Sequence, residues 1–304
     1  MTGLVAELLR PSLTDKARAY VRLTKPRIMV LLLVTTAAAM LLAGDGLPPT
    51  MIFLITLLGG ALGAGGASAI NNYMDRDIDR LMLRTASRPV PAGVVSPTAA
   101  LFFGVALVSL SFLLLALAVN LLAAVLTLTG ALFYVFIYTG WLKRSSVHGV
   151  VIGGAAGALP PVVGWAAVTG EVSFLAFLLF ATFFIWTPPH FWALSLLMKD
   201  EYERAHVPML PVIRGDAETH RQILWYSVAL VVFSVLVGVL APFGAPYFMG
   251  ALLLGAVWLT FAIKLRVHGT RAEASELFHY SLVYLALLFA LMVVDRQMAR
   301  FFLG

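Results

Sequence analysis

A polytopic all-α membrane protein with nine transmembrane helices is the fold class this sequence predicts, and three observations predict it. Of the 304 residues 61% are hydrophobic and 12% charged, with a mean hydropathy of +0.94, whereas a soluble domain carries about 25% charged residues. Nine stretches reach the roughly 20 apolar residues that a spanning helix needs: about 28–44, 51–70, 98–118, 121–140, 148–168, 172–194, 224–242, 247–265 and 279–295. The runs are continuous, without the alternation of barrel strands. Lipid offers no partner for backbone polar groups, so such runs are expected as helices.

Residues 1–27 are expected to form a cytoplasmic N-terminal segment and 28–304 a single transmembrane domain, because the longest polar pieces further on are loops between spans. The N-terminal segment holds Arg10, Lys16, Arg18, Arg22, Lys25 and Arg27, with no short apolar core ahead of a small-residue cleavage site. No removable signal peptide is expected from it. With the N-terminus inside, nineteen of the 21 lysines and arginines fall in cytoplasmic segments or, for Lys264, at the cytoplasmic end of a span, and none in the four external loops, which sets the orientation. Arg296 and Arg300, on the tail after the ninth span, are the exceptions. The net charge of +6 is therefore a topology signal and asks for no nucleic-acid partner. The expected location is a bacterial cell inner membrane, with the active-site loops in the cytoplasm. The chain has no cysteine, which excludes disulfides, thiolate metal sites and iron–sulfur clusters and leaves oxygen or imidazole to hold any metal.

Acidic residues are scarce, and six of the fifteen lie in two clusters where predicted spans reach the cytoplasmic side: Asp75, Asp77 and Asp79, then Asp200, Glu201 and Glu203. In "NNYMDRDIDRLMLRTASRPVPAG" (Asn71 to Gly93), Asn71, Asp75 and Asp79 are spaced i, i+4, i+8 and share one helix face, while Asp77 points away. Hard oxygens on one face suit Mg²⁺, which is usually held by one or two carboxylates together with substrate phosphates. Arg84 and Arg88 follow on a proline-stiffened loop, and guanidinium groups match phosphate oxygens in a two-pronged geometry. The plainer alternative is a solvated loop of weak surface ion pairs; the one-face spacing at a span's end weighs against it. The second cluster, opening with Asp200 and Glu201, lies four spans later in a similar position. Two such clusters facing each other would hold Mg²⁺ ions on one diphosphate. A diphosphate that needs a lipid-embedded site is a lipid diphosphate, with a polyprenyl tail among the helices. The carbocation left when diphosphate departs would have to be kept from water.

The Asn71–Gly93 stretch resembles the first aspartate-rich motif, N-x-x-x-D-x-x-x-D, of the UbiA-type intramembrane prenyltransferases, whose all-helical bundle fits nine spans. Further stretches are similar to that superfamily's haem-farnesylating branch: "RLTKPRIMVLLLVTT", "YTGWLKR" with "VVIGGAAGALPPVVGWAAVTG", "WTPPHFWALSL" and "KDEYERAHVPMLPVIRG". The resemblance covers most of the chain from about Tyr20 to the ninth span. It implies transfer of the farnesyl group of farnesyl diphosphate to the 2-vinyl group of haem B, with water adding to give haem O for terminal oxidases. A downstream haem A-forming enzyme is an implied partner. It assigns Asn71, Asp75, Asp79, Asp200 and Glu201 to the metal, with Asp75, Asp79, Asp200 and His190 catalytic. Lys25, Arg27, Arg84, Arg88, Lys143 and Lys199 form the implied diphosphate clamp. Two departures from the branch's pattern are His206, where glycine is expected before "VPMLP", and Gly149, where asparagine is common.

His190, in "WTPPHFW", is expected inside the sixth span, where a polar group usually has a role: iron ligation, proton uptake or a backbone hydrogen bond. His279, at the start of the ninth span, is a second haem-contact candidate. Tyr138 and Trp186 are candidates for flanking a cation with their ring faces, although aromatic residues in spans most often pack. The small residues of "GGALGAGGA" and "GGAAGA" are expected to let helices approach closely. Two readings compete. A prenyltransferase for a quinone precursor or chlorophyll-like ring would prenylate a different acceptor. A membrane transporter would show gradient-driven uptake surviving Asp75→Asn.

Overall fold

The computed structural model describes residues 12–44, 46–241 and 243–303. The first eleven residues of the expected N-terminal segment, and residue 242 at the end of the expected seventh span, lie outside them. Among the described residues there is no strand, and nine helices are long and apolar enough to cross a membrane. The chain is a multi-pass membrane protein of all-α class.

The spanning helices are α2 (Pro26–Ala43), α3 (Thr50–Met74), α6 (Pro97–Ala118), α7 (Leu121–Ser145), α8 (Gly149–Thr169), α9 (Phe174–Leu197), α11 (Leu210–Leu240), α12 (Ala245–His268) and α13 (Arg271–Leu303). Four short helices, α1 (Leu13–Leu23), α4 (Arg76–Leu81), α5 (Leu83–Ala86) and α10 (Lys199–Arg204), lie between or before them. The boundaries follow local chemistry. Pro26 and Pro97 open α2 and α6, where a missing N–H is no loss. The side chains of Ser96, Asn120 and Ser173 accept hydrogen bonds from backbone N–H groups in the first turns of α6, α7 and α9. Gly170 and Gly269, both at positive φ, close α8 and α12.

All nine expected spans are present, and two begin earlier than hydropathy suggests. α11 starts at Leu210 and is broken at Gly215 (φ 78°, ψ 172°), and α13 starts at Arg271. Both carry polar helical turns beyond their apolar parts, where hydropathy has no signal. A further difference lies in α7, where Phe133–Leu142 is π-helical, a geometry that often marks functional positions.

Consecutive spans neighbour one another, α13 returns to α2, and α8 packs inward on α2 as well as on α7 and α9. α3 and α6 cross closely: a Cβ on Gly66 would stand 2.6 Å from the Gly104 carbonyl oxygen, and one on Gly104 2.7 Å from that of Gly66. The small-residue stripe is thus a packing device. The main apolar core joins α8, α9, α11, α12 and α13 around Trp186, Trp192, Tyr247, Trp258 and Tyr284. At the opposite end from the acidic motifs, Asp295 accepts the N–H groups of Gly244 (2.8 Å) and Tyr247 (3.2 Å). Arg300 donates to the carbonyls of Leu41 and Gly44 at the end of α2. The tail arginine that departs from the charge rule therefore has a structural task.

Candidate active site

Asn71 lies in the last turn of α3, Asp75 caps that helix, and Asp79 lies on α4. Hydrogen bonds from Asp75 N–H to Asn71 O (2.9 Å) and from Asp79 N–H to Asp75 O (2.8 Å) carry the i, i+4, i+8 register through the junction. All three side chains are buried, with Asp75 0% exposed, whereas Asp77 faces outward, as the spacing predicts.

The two acids and the Asn71 amide meet cations from three other places in the chain. Lys143 Nζ, at the end of α7, lies 2.5 Å from Asp75 Oδ2. Arg88, from the loop after α5, bonds both oxygens of Asp79 at 2.8 Å. Lys25 Nζ, just ahead of α2, donates to Asn71 Oδ1 at 2.7 Å. Lys25 sits in the left-handed region (φ 51°, ψ 59°), although a following proline pushes a residue towards extended conformations. Such strain costs of order 1–3 kcal/mol and collects at functional sites; here it accompanies the ammonium's approach to Asn71. Burial, reinforced by the neighbouring Arg88 and Lys143 charges, lowers the Lys25 amine to about 7. A bound anion would favour its charged form.

Three further residues belong to this constellation. Thr139, 0% exposed in the π-helical segment, accepts from Asn71 Nδ2 at 3.0 Å, and the same nitrogen donates to Asp75 Oδ2 at 2.8 Å. The Asn71 amide is thereby oriented with its oxygen towards Lys25. Arg144 binds Asp77 with two nitrogens (2.7 and 2.8 Å), donates to Met74 O (2.9 Å) and stands 3.6 Å from Asp75 Oδ1. Its hydrogen bonds hold the Asp77 carboxyl well below the usual carboxylate range. Tyr202, buried on α10, has its phenol raised by burial, against the opposing fields of Arg84 and Arg88. For Arg144 the signal in sequence is its place beside Lys143 in "WLKR"; for Tyr202 it is the one apolar ring within "KDEYER". Thr139 has none, because its direction depends on the π-helical turn.

The second acidic cluster is placed differently from expectation. Asp200 is exposed, and its backbone carbonyl accepts from Arg204 Nε. Glu201 Oε2 accepts the backbone N–H of Arg84 (3.1 Å), joining α10 to the loop of the first motif. Among the described residues no group of three acids or histidines is arranged to hold a metal ion, so Asp200 and Glu201 are not brought to Asp75 and Asp79. The reason is periodicity. Tyr202 is the residue of α10 that packs inward, and Asp200, two residues earlier, lies about 200° round the helix. Of the expected clamp, Lys199 pairs with Asp216 (2.8 Å), while Arg27 and Arg84 are exposed.

The donor set around the first motif fits a hard divalent cation. Asp75 Oδ1 is sealed from solvent without a hydrogen bond, beside a second buried carboxylate and an amide oxygen, the ligand chemistry of Mg²⁺. The lysines and Arg88 that now rest on those oxygens are phosphate-binding groups.

Of the candidates for a ring-shaped acceptor, His190 and Trp186 lie together on α9 and stack at 4.3 Å between centroids. Tyr138 stacks on Tyr134 (5.7 Å) beneath Gly153, which leaves room for its ring. His279 is exposed and bonds the Ser275 carbonyl of its own helix at 2.8 Å. It follows Phe278, which stacks on His190, and one residue's 100° turn takes it off that face.

An intramembrane bundle with a carboxylate–amide site clamped by lysine and arginine defines the class, and sequence comparison agrees. The UbiA prenyltransferase family matches residues 32–291, and the chain belongs to that family. It is 49% identical over 300 residues to the protoheme IX farnesyltransferase of Roseiflexus sp. (strain RS-1), covering 96% of this chain and 56% of that protein. To the protoheme IX farnesyltransferase of Symbiobacterium thermophilum it is 50% identical over 280 residues, covering 91% of this chain and 94% of that one. The chain thus spans little more than half the length of the first relative and nearly all of the second. A solved UbiA homologue from Archaeoglobus fulgidus, bound to GPP and Mg²⁺, shares the fold at a TM-score of 0.66 and 17% identity, covering 90% of this chain and 99% of that one.

Proposed function

We propose that this protein transfers the farnesyl group of farnesyl diphosphate to the 2-vinyl group of haem B, with addition of water, giving haem O and diphosphate. The observation that carries the reading is identity near 50% along almost the whole chain to proteins named protoheme IX farnesyltransferase, combined with a buried carboxylate pair ringed by Lys25, Arg88 and Lys143. Mg²⁺ held by Asp75, Asp79 and the Asn71 oxygen, when bound with diphosphate, neutralises charge on the departing group.

The chain's own residues account for the rest. Lys25, Lys143 and Arg88 exchange their carboxylate and amide partners for the oxygens of the diphosphate. Thr139 keeps the Asn71 oxygen directed into the site, and the apolar helices exclude water from the prenyl tail. The bond between prenyl C1 and oxygen breaks with its electron pair leaving on diphosphate. The terminal vinyl carbon then supplies a pair to C1, a new carbon–carbon bond forms, and the cation left on the inner vinyl carbon takes water's oxygen and releases one proton. His190, Trp186 and Tyr138 are the residues we assign to the acceptor side. We place the site at the cytoplasmic face of a bacterial inner membrane, with the product passing to a haem A-forming enzyme.

The test is an assay of the purified protein with haem B, farnesyl diphosphate and Mg²⁺, followed by mass spectrometry. Formation of haem O that depends on Asp75 is expected. Prenylation of a quinone precursor with no haem O would replace the acceptor, and activity untouched by Asp75→Asn would overturn the donor site.

A further inference from the structure

His190 is held more closely than a packing residue needs to be. Its ring lies between Trp186 (4.3 Å, 17° between planes) and Phe278 (4.9 Å, 23°). Its Nδ1 is 2.5 Å from Ser281 Oγ, which in turn is 2.5 Å from the Phe278 carbonyl. Trp186 Nε1 donates to the Ser281 carbonyl at 2.8 Å, so α9 and α13 are joined twice at one serine. One arrangement of protons satisfies every contact in this network. A serine hydroxyl has one proton, and here it goes to the Phe278 carbonyl, which can only accept. Towards His190, Ser281 therefore accepts, Nδ1 carries the hydrogen, and Nε2 keeps its lone pair. The two stacked rings stop the imidazole from turning over. Nε2 has no hydrogen-bond partner among the described residues.

We propose that Ser281 is a positioning residue that fixes His190 as its Nδ1–H tautomer, so that Nε2 binds the iron of the haem acceptor. The inference rests on the haem reading of the function. Nε2, without a partner among the described residues, is not sealed off by its neighbours, and a lone pair left open to a ligand within a spanning helix usually has a role. Metal-ligating histidines almost always donate their other ring N–H to a fixed acceptor, and loss of that acceptor typically lowers metal affinity 10–100-fold. Trp186 and Phe278 add apolar ring faces beside the iron-binding nitrogen, suited to a flat, greasy macrocycle.

Titration of the full-length protein in detergent with ferric haem B, and separately with metal-free protoporphyrin IX, tests this by optical and electron paramagnetic resonance spectra. The wild type is expected to bind the iron porphyrin at least tenfold more tightly than the metal-free one, with a histidine-ligated spectrum. His190→Ala should abolish both the preference and the spectrum, and added imidazole should restore the spectrum. Ser281→Ala should weaken haem binding by about tenfold, and Ser281→Thr, which keeps the hydroxyl, should recover it. Binding of Mg²⁺ and pyrophosphate by each variant verifies that the bundle is folded. An unchanged spectrum and affinity in His190→Ala would overturn the proposal while leaving the acceptor reading intact. Failure of the wild type to bind either porphyrin would overturn the acceptor reading itself, and the proposal with it.

Discussion

Asp75 and Asp200 each lie within three residues of the end of a spanning helix, α3 and α9, yet Asp75 is 0% exposed between two cations, Lys143 and Arg144, and Asp200 faces solvent. The difference comes from helix phase. In the first motif Asn71, Asp75 and Asp79 repeat every four residues and stay on the buried face. In the second, the inward position of α10 goes to Tyr202, and the acids beside it are left on the rim. A carboxylate count cannot distinguish the two, but the phase of each acid against the nearest buried residue can. The first motif is also drawn together by distant segments, Lys25, Thr139, Lys143 and Arg88, whereas the second reaches it through one hydrogen bond, Glu201 to the Arg84 backbone.

The largest expected effect follows directly. Asp75→Asn and Asp79→Asn should each lower farnesyl transfer more than about a hundredfold, the scale for removing a group that stabilises the reacting charge. Asp200→Asn should lower it less than tenfold. Product formed per milligram of protein in membranes measures both. Equal losses would break the comparison, because they would show that α10 turns Asp200 inward once the donor is bound.

A second test uses the metal. Lys25, Lys143 and Arg88 rest on the oxygens assigned to Mg²⁺, so a divalent ion arriving alone meets two like charges and a lysine amine that is about half charged near neutral pH. Pyrophosphate brings the negative charge that draws those side chains away. Mn²⁺ binding, followed by electron paramagnetic resonance, should tighten at least tenfold when pyrophosphate is added, an energy of about 1.4 kcal/mol. Mn²⁺ bound as tightly without it would show that the cations do not guard the site.

The orienting role of Thr139 should give a smaller effect. Thr139→Val removes the acceptor that the Asn71 amide uses, and a net hydrogen bond is worth about 0.5–1.5 kcal/mol. The KM for farnesyl diphosphate should therefore rise up to about tenfold with little change in kcat, and Thr139→Ser should restore it. A kcat loss that serine does not rescue would make Thr139 a packing residue of the π-helical turn.

These residues also mark how far sequence alone reaches. Nine spans were legible because about 20 apolar residues in a row have few other fates, and the one-face spacing of Asn71, Asp75 and Asp79 was legible because it needs only local helix geometry. Arg88 was legible from its place on the proline-stiffened loop after the motif, and Lys25 and Lys143 through family resemblance, which carries tertiary information that spacing does not. Thr139 and Arg144 were not, since each depends on how the end of α7 is wound and set against α3. Asp200, Lys199, Arg27 and His279 were placed in the site by motif or resemblance and are here exposed or paired with other residues, while Glu201 and Arg84 meet each other at the rim of the first motif.

The smallest expected effect separates the two regions by the sign of a strain. Among the described residues two non-glycine residues have positive φ, Lys25 (51°) beside the first motif and His206 (52°) after the second. The family resemblance anticipates glycine where His206 stands, and the left-handed backbone there is the physical reason. A side chain in that region costs about 1–2 kcal/mol, partly offset by the greater freedom glycine has when unfolded. His206→Gly should therefore stabilise the protein by about 0.5–1 kcal/mol and raise the thermal midpoint by about a degree or two, with farnesyl transfer unchanged. Lys25→Gly relieves similar strain but removes the ammonium on Asn71 Oδ1, so it should hold or raise the midpoint while pyrophosphate affinity falls about tenfold. Thermal unfolding in detergent and pyrophosphate titration of the two variants read both quantities. If Lys25→Gly kept its affinity, the strained backbone there would have no functional return, and the difference between the two motifs would reduce to burial alone.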